Sequence, residues 1–261
     1  MKGHEGTTRS PNQAMNQAIV IRKCERLEEY HRCVDLQREI WGEAELEVEP
    51  ATMFVVAAHT GGQVLGAFDG DKLVGYTLAV VGLRGATPYF HSHMTGVQSE
   101  YRDRGVGRML KLFQRDEALG RGIRLIEWTF DPLEVRNAHF NFRLGAIVRR
   151  FIPNMYGLTT SPLHGGLPTD RLVAEWHLRS ARVRRALSEK RTRKSRGKEY
   201  ARIRVPADFG TIRATKPEEA ARLQAEVRQE FEHWLVSGYA ATGINIADDA
   251  AEYLLEPWTE K

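Results

Sequence analysis

The chain has 261 residues, 42% of them hydrophobic and 28% charged, with a formal net charge of +4. Such a length buries a full core, and the composition is that of a globular protein, which excludes a fibrous or wholly disordered chain. No apolar run approaches the roughly 20 residues of a membrane helix, and no charged-then-apolar leader opens the chain, so a cytoplasmic protein with no membrane partner is expected.

Residues 1 to 17, rich in Gly, Thr, Asn and Gln, have no periodicity and read as a disordered leader. Ile19-Val-Ile-Arg22 reads as a strand and Glu25 to Trp41 as a helix, with Leu27, Tyr30, Val34, Ile40 and Trp41 mostly on one face. Cys24 and Cys33, nine apart and without metal spacing, read as reduced packing thiols. Pro50 opens a second helix through about His59, ended by Gly61-Gly62. Val64 to Phe68 and Leu73 to Val81 are strands joined by Asp69-Gly-Asp71, a hairpin signal.

Tyr89, Phe90, Met94 and Val97, interleaved with small or polar residues, suit another strand. From Val106 on, the residues Val106, Met109, Leu110 and Phe113 fall on one face of a helix. Ile123 to Phe130 is a strand closed by Asp131-Pro132, and residues 134 to 144 suit a helix stopped by Gly145. Ile147 to Ile152 and Leu172 to Leu178 are strands joined by a Gly/Pro-rich loop. The order β-α-α-β-β-β-α-β-α-β-β predicts a mixed α/β sheet covered by helices.

Beyond residue 180 the character changes. Arg179 to Arg204 holds twelve basic residues against Glu189 and Glu199, whereas Phe209 to Lys261 holds ten acidic and five basic residues, so the two segments are expected to attract. The basic run has one aromatic, Tyr200, and lacks the interleaved rings of a stacking platform, so a nucleic-acid partner is not expected. Thr215-Lys-Pro-Glu218 has the form of a capping box opening a helix through Val236, with Leu223, Val227, Phe231, Trp234 and Leu235 as its apolar stripe. That stripe would pack on the main domain or on a second copy in a homodimer. The expected division is a leader at 1–17, an α/β domain at 18–180, a basic helix or linker at 181–205 and a helical extension at 206–261.

The central stretch is His91-Ser-His-Met-Thr-Gly-Val97 followed by Arg102-Asp-Arg-Gly105-Val-Gly107. Strand, glycine turn and helix N-terminus together form an anion site, since Gly105 and Gly107 let a ligand approach the backbone and the first helical N–H groups have no intrahelical partner. A dinucleotide fingerprint would need a third glycine where Leu110 stands, and the P-loop Gly-Lys-Ser/Thr is absent.

In this setting Arg102, Gly105 and Gly107 resemble the Arg/Gln-x-x-Gly-x-Gly/Ala signature of the GNAT acyltransferases, and the element order over residues 19 to 180 is similar to that fold. The resemblance implies a GNAT-like, largely antiparallel sheet flanked by helices, and acetyl-CoA or another acyl-CoA as co-substrate. It implies that Arg102, Arg104, Gly105, Val106, Gly107 and Arg108 hold its phosphates, while backbone N–H groups around Gly96, Val97 and Gln98 hold the thioester carbonyl and pantetheine. Asn137 and Asn141 are candidates for pantetheine or the acceptor. The pair His91 and His93, on one strand face about 7 Å apart at roughly 3.3 Å per residue, is similar to the serotonin N-acetyltransferase branch, where two such histidines draw off a proton through water.

Acyl transfer to an amine needs a proton acceptor near neutrality, which suits His91 and His93. A metal on this pair would need a third ligand, for which His139 is the sole hint, and no metal is expected. The family's usual proton-donating tyrosine is replaced by Asn141, or by Phe142 one residue on; Tyr156 or water would serve, or the thiolate would leave unprotonated. The acceptor expected is a small-molecule amine or amino acid, with Arg84, Asp170 and Glu175 as candidate contacts. The alternative is a non-catalytic acyl-CoA-binding module of the same fold.

Overall fold

The computed structural model describes residues 18–42, 48–157, 159, 164–188 and 200–259. The expected leader and most of the basic run lie outside them. Seven strands and four helices follow in the expected order: β1 (Val20–Lys23), α1 (Leu27–Trp41), α2 (Ala51–His59), β2 (Gln63–Asp69), β3 (Lys72–Arg84), β4 (Thr87–Val97), α3 (Val106–Gly120), β5 (Leu125–Phe130), α4 (Val135–Arg143), β6 (Ile147–Ile152) and β7 (Arg171–His177). Helix α1 starts at Leu27 rather than Glu25 because the Glu29 carboxylate folds back to accept the N–H groups of Glu25 and Arg26. Gly42, at φ 62°, closes it in the left-handed conformation.

The C-terminal part departs from the expected helical extension. After α5 (Ala181–Leu187) come β8 (Ala201–Pro206), α6 (Phe209–Thr215), α7 (Pro217–Val236), β9 (Tyr239–Ile246) and β10 (Ala250–Pro257). The three strands join the others in one ten-stranded sheet of order β1-β2-β3-β4-β5-β7-β6-β9-β10-β8. In β8, Ile203 and Val205 are buried while Arg202 and Arg204 are exposed, a period-two alternation concealed within a basic run. Arg202 pairs with Glu252 (2.5 Å) and Arg204 with Asp249 (2.9 Å), so part of the expected attraction is a cross-strand contact between β8 and the β9–β10 hairpin. The capping box is not formed either. Thr215 ends α6, its hydroxyl donating to the Thr211 carbonyl, and Asp208 caps α6 by accepting the Thr211 N–H.

The expected boundaries at 180 and 205 have no counterpart in the core. Trp128, Trp176, Phe142, Ile203, Phe231 and Tyr253 belong to one buried cluster. Phe231 of α7 meets the edge of the Tyr253 ring at 5.0 Å, and the Tyr253 hydroxyl donates to the Pro132 carbonyl at 2.6 Å, bracing the entry to α4.

Asp170, a candidate acceptor contact, is instead part of this bracing. It is buried, accepts both Nε (2.9 Å) and Nη2 (2.7 Å) of Arg228 in α7, and accepts the Asn154 N–H. Arg228→Met leaves that carboxylate uncompensated and is expected to destabilise the protein by about 3 kcal/mol. Adding Asp170→Asn should recover part of the loss. A denaturation midpoint unchanged by Arg228→Met would show that the pair contributes nothing.

Candidate active site

Among the described residues all strand pairs are antiparallel except β4 with β5, and that ladder holds two pairs, Phe90 with Ile126 and His91 with Glu127. Beyond them the strands part, so the C-terminal halves of β4 and β5 form the arms of a fork. On the β3 side, Leu78 pairs with Met94 and Ala79 with Ser92, which leaves His93 as the extra residue of a β-bulge. The Gln98 N–H donates to the Val74 carbonyl on the β3 side at 2.9 Å. Strand alternation therefore turns the backbone of Gly96 the same way, and that of Thr95 and Val97 into the fork.

Of Gly96, Val97 and Gln98, only Val97 thus turns its backbone into the fork. Gly96 has another task. A Cβ there would stand 2.8 Å from Ile40 and 2.9 Å from Trp41, so its lack of a side chain lets the end of α1 pack onto β4. The Gln98 side chain donates to Glu39 in the same helix.

At the open end of the fork, a 3-10 turn (Ser99–Tyr101) leads into the α3 N-terminus. Gly105 caps the helix at φ 81° and Asp103 also has positive φ, 59°, so the backbone curls before the helix begins. The first helical bond runs from the Met109 N–H to the Gly105 carbonyl, which places the N–H groups of Val106, Gly107 and Arg108 ahead of the ladder. The Val106 side chain is buried and anchors the turn. Nothing lies within 4 Å of a Cβ built on Gly105, and nothing closer than 3.9 Å on Gly107. Arg102 is drawn back to the Val97 carbonyl through Nε, 3.1 Å, while Arg104 and Arg108 are exposed.

At the apex, the two imidazoles share one face with ring centroids 6.4 Å apart, as their spacing predicts. Burial, then the charges of His93, Lys111 and Arg150, lower the His91 pKa to about 4, so His91 is a neutral acceptor at neutral pH. His93 Nε2 lies 2.9 Å from Glu49 Oε1, and the hydrogen bond with His93 holds the Glu49 carboxyl below the usual range. Gln37 fixes Glu49 by bonding both its backbone N–H and its C=O. A carboxylate behind an imidazole orients the ring and stabilises the imidazolium.

On the opposite face lies Lys111, which is fully buried and has no carboxylate partner among the described residues. Its ammonium donates to Ser92 Oγ (2.8 Å) and Gln114 Oε1 (3.1 Å) and sits 4.3 Å from the Trp128 ring centroid. Burial pulls its pKa down to about 7. Trp128 also donates to Asn141 Oδ1 at 3.1 Å, and the buried Asn141 Nδ2 has no partner among the described residues. Asn137 is exposed one helical turn before it.

The row continues across the sheet: His91 pairs with Glu127, and Glu127 with Glu175 of β7. Both glutamates are buried. Glu127 is bonded by Arg84 and by Arg150 (2.8 Å), and Glu175 by Arg149 (2.6 Å). A bulge at Arg149 lets two consecutive arginines of β6 reach these carboxylates. Burial would raise the Glu175 pKa, but bonds from His177 and Arg149 and the charges of Arg149 and Arg84 hold it at about 2. Glu175 is thus already neutralised and does not suit the ammonium-holding role expected of it. Tyr156 is 46% exposed and its hydroxyl meets that of Thr129 at 2.9 Å, on the same strand face as Glu127. Among the described residues no three of His, Cys, Asp or Glu gather as a metal site.

A largely antiparallel sheet forked at its single parallel pair, with a helix N-terminus at the open end, defines a mixed α/β fold of the GNAT type. Residues 27–145 match the model of the Acetyltransferase (GNAT) family. No curated protein matches the chain in sequence. Among solved structures, the ribosomal-protein-S18-alanine N-acetyltransferase from Escherichia coli superposes with a TM-score of 0.51 at 14% identity, over 63% of this chain and 96% of that one. A putative acetyltransferase of the GNAT family from Desulfovibrio desulfuricans gives 0.51 at 16% identity, over 62% and 99%. NAA60 from Arabidopsis thaliana, solved in complex with acetyl-CoA, gives 0.51 at 14%, over 61% and 99%. At these identities the likeness is one of fold.

Sequence reasoning missed Thr95, Glu49, Lys111, Glu127, Arg149 and Arg150. Thr95 would have been reachable from the strand parity of Val97. The others depend on contacts between residues distant in sequence.

Proposed function

We propose that this chain is an acyl-CoA-dependent N-acyltransferase that moves an acetyl group, or a longer acyl group such as succinyl, to the primary amine of a small molecule such as an amino acid. The observation that carries the reading is the fork: a helix N-terminus with open glycines at its mouth, backbone groups along one arm, and two imidazoles at its apex. The residues fit the co-substrate. Val106, Gly107 and Arg108 offer N–H groups to phosphates, Arg104 and Arg108 add charge, and Asn141 Nδ2 is a buried donor awaiting an acceptor. Such a co-substrate supplies an activated carbonyl whose C–S bond is exchanged for a C–N bond. The chain's part is to orient the amine, exclude water and take the amine's proton, at His91 or at His93 backed by Glu49. Tyr156, with its hydroxyl against β5, remains the candidate to donate a proton to the departing sulfur.

The first test is thermal stability with acetyl-CoA, succinyl-CoA and CoA. At about 100 times the dissociation constant, binding should add roughly 2.7 kcal/mol. Gly107→Val should abolish that gain while changing the stability of the ligand-free protein by no more than about 0.5 kcal/mol, because valine is a slightly better helix former than glycine and a Cβ there meets nothing closer than 3.9 Å. No stabilisation of the unmodified protein by any of the three would end the assignment.

A further inference from the structure

Beside the His91 face lies a cavity of about 450 Å³ lined by Arg84, Arg149, Arg150 and Glu175. Three guanidiniums, which cannot lose their charge, surround two buried carboxylates, so the cavity carries an excess of positive charge. The carboxylates engage Nη2 of Arg84, and Nε and Nη2 of Arg150. That leaves Nη1 of Arg84 and Nη1 of Arg150, each with two N–H donors, among the described residues. Glu127 and Glu175, fixed in adjacent strands, hold the guanidiniums in place ahead of binding, which lowers the ordering cost a ligand must meet. His91 belongs to the same cross-sheet row, one strand from Glu127, at roughly 5 Å of strand spacing.

We propose that this arginine cavity takes an anionic group, a carboxylate or a phosphate, carried by the amine that is acylated beside His91. The inference rests on the acyltransferase reading and adds to it the class of acceptor. Guanidinium edges match the paired oxygens of either anion. The separation of Glu127 and Glu175 from His91, one and two strands away, further selects acceptors in which amine and anion are several bonds apart.

The test uses the full chain and three acceptors of similar length: 4-aminobutyrate, O-phosphoethanolamine and n-butylamine. With acetyl-CoA, or whichever acyl-CoA stabilises the protein, at least one anionic amine should exceed n-butylamine in kcat/KM by roughly 10- to 100-fold, the range for charge-assisted hydrogen bonds. Which of the two it is identifies the anion. Separately, inorganic phosphate and glutarate should each be tested for raising the melting temperature of the protein without acyl-CoA. The gain from glutarate should vanish, and that from phosphate should fall to whatever the α3 turn alone supplies, in the double variant Glu127→Gln with Arg150→Met, which removes one charge of each sign and so leaves no buried ion unpaired.

If n-butylamine is acylated as well as both anionic amines, the inference is overturned while the enzyme stands. If no amine is acylated but either anion stabilises the unmodified protein and not the double variant, the cavity stands and the acyltransferase reading falls. Absence of both stabilisation and preference overturns the inference.

Discussion

Replacing Lys111 with Met is expected to raise the melting temperature at pH 6 by roughly 5–10 °C, with the gain shrinking and then reversing as pH rises toward 10.5. The folded-state ammonium loses its proton near pH 7, against an ordinary value of 10.5. Below pH 7 both folded and unfolded chains are charged there, and the folded state carries the full cost of burial. Between 7 and 10.5 the unfolded chain holds a proton that the folded one lacks, so the stability of the unmodified protein climbs with pH. Above 10.5 both states are neutral and the cost is gone.

At about 1.36 kcal/mol per pH unit, the cost is at most about 5 kcal/mol. Met fills the space with apolar atoms but leaves Ser92 Oγ and Gln114 Oε1 without their donor, a loss of about 1–2 kcal/mol. The balance favours Met at low pH, and only the lost hydrogen bonds remain at high pH. Calorimetry at pH 6, 8 and 10 reads this directly. A difference between the two proteins that does not change with pH would mean that Ser92, Gln114 and the Trp128 ring compensate the charge completely. A lysine kept there at a net cost belongs to the site rather than to the fold. Its charge helps keep His91 neutral, so the same substitution should raise the His91 pKa from about 4.

What could be read from the chain depended on how local the physics was. Gly105 and Gly107 were legible because a positive φ and an open approach are demands on single residues, and Asp69-Gly-Asp71 because a hairpin turn is set by its own dihedrals. The shared face of His91 and His93 follows from strand parity, although the bulge that makes His93 the extra residue is set by pairing with β3. The fork was not legible, since it consists of ladder pairs that fail to form between β4 and β5. Lys111 follows Leu110 on an amphipathic helix and reads as solvated until Ser92 and Trp128 close over it. Ile203 and Val205 alternate as a strand should, but Arg202 and Arg204 made the segment look like the tail of the basic run. Glu127, Glu175 and the three arginines sit on β3, β5, β6 and β7, and only the sheet order brings them together.

The double variant His91→Ala, His93→Ala is expected to lose roughly 10²- to 10⁴-fold in kcat, the usual contribution of a positioned base, while its stabilisation by acyl-CoA persists. Retained binding matters because both side chains lie on the face away from α3, whereas the turn proposed to hold the phosphates is built on α3 itself. The pH profile carries the sharper information. Without a base, attack falls to the neutral fraction of the amine, so kcat/KM should rise about tenfold per pH unit toward the pKa of a primary amine, near 10.4 for a lysine-like group. The unmodified enzyme should level off at lower pH, where its own base is already deprotonated.

Glu49→Gln separates the two histidines. Of the two histidines the Glu49 carboxylate bonds His93, so a large loss from this variant places the proton on His93, and a small one leaves it to His91, whose ring is already neutral. If the double variant keeps the full rate and the profile of the unmodified protein, neither imidazole accepts the proton and the base must be sought elsewhere on the fork.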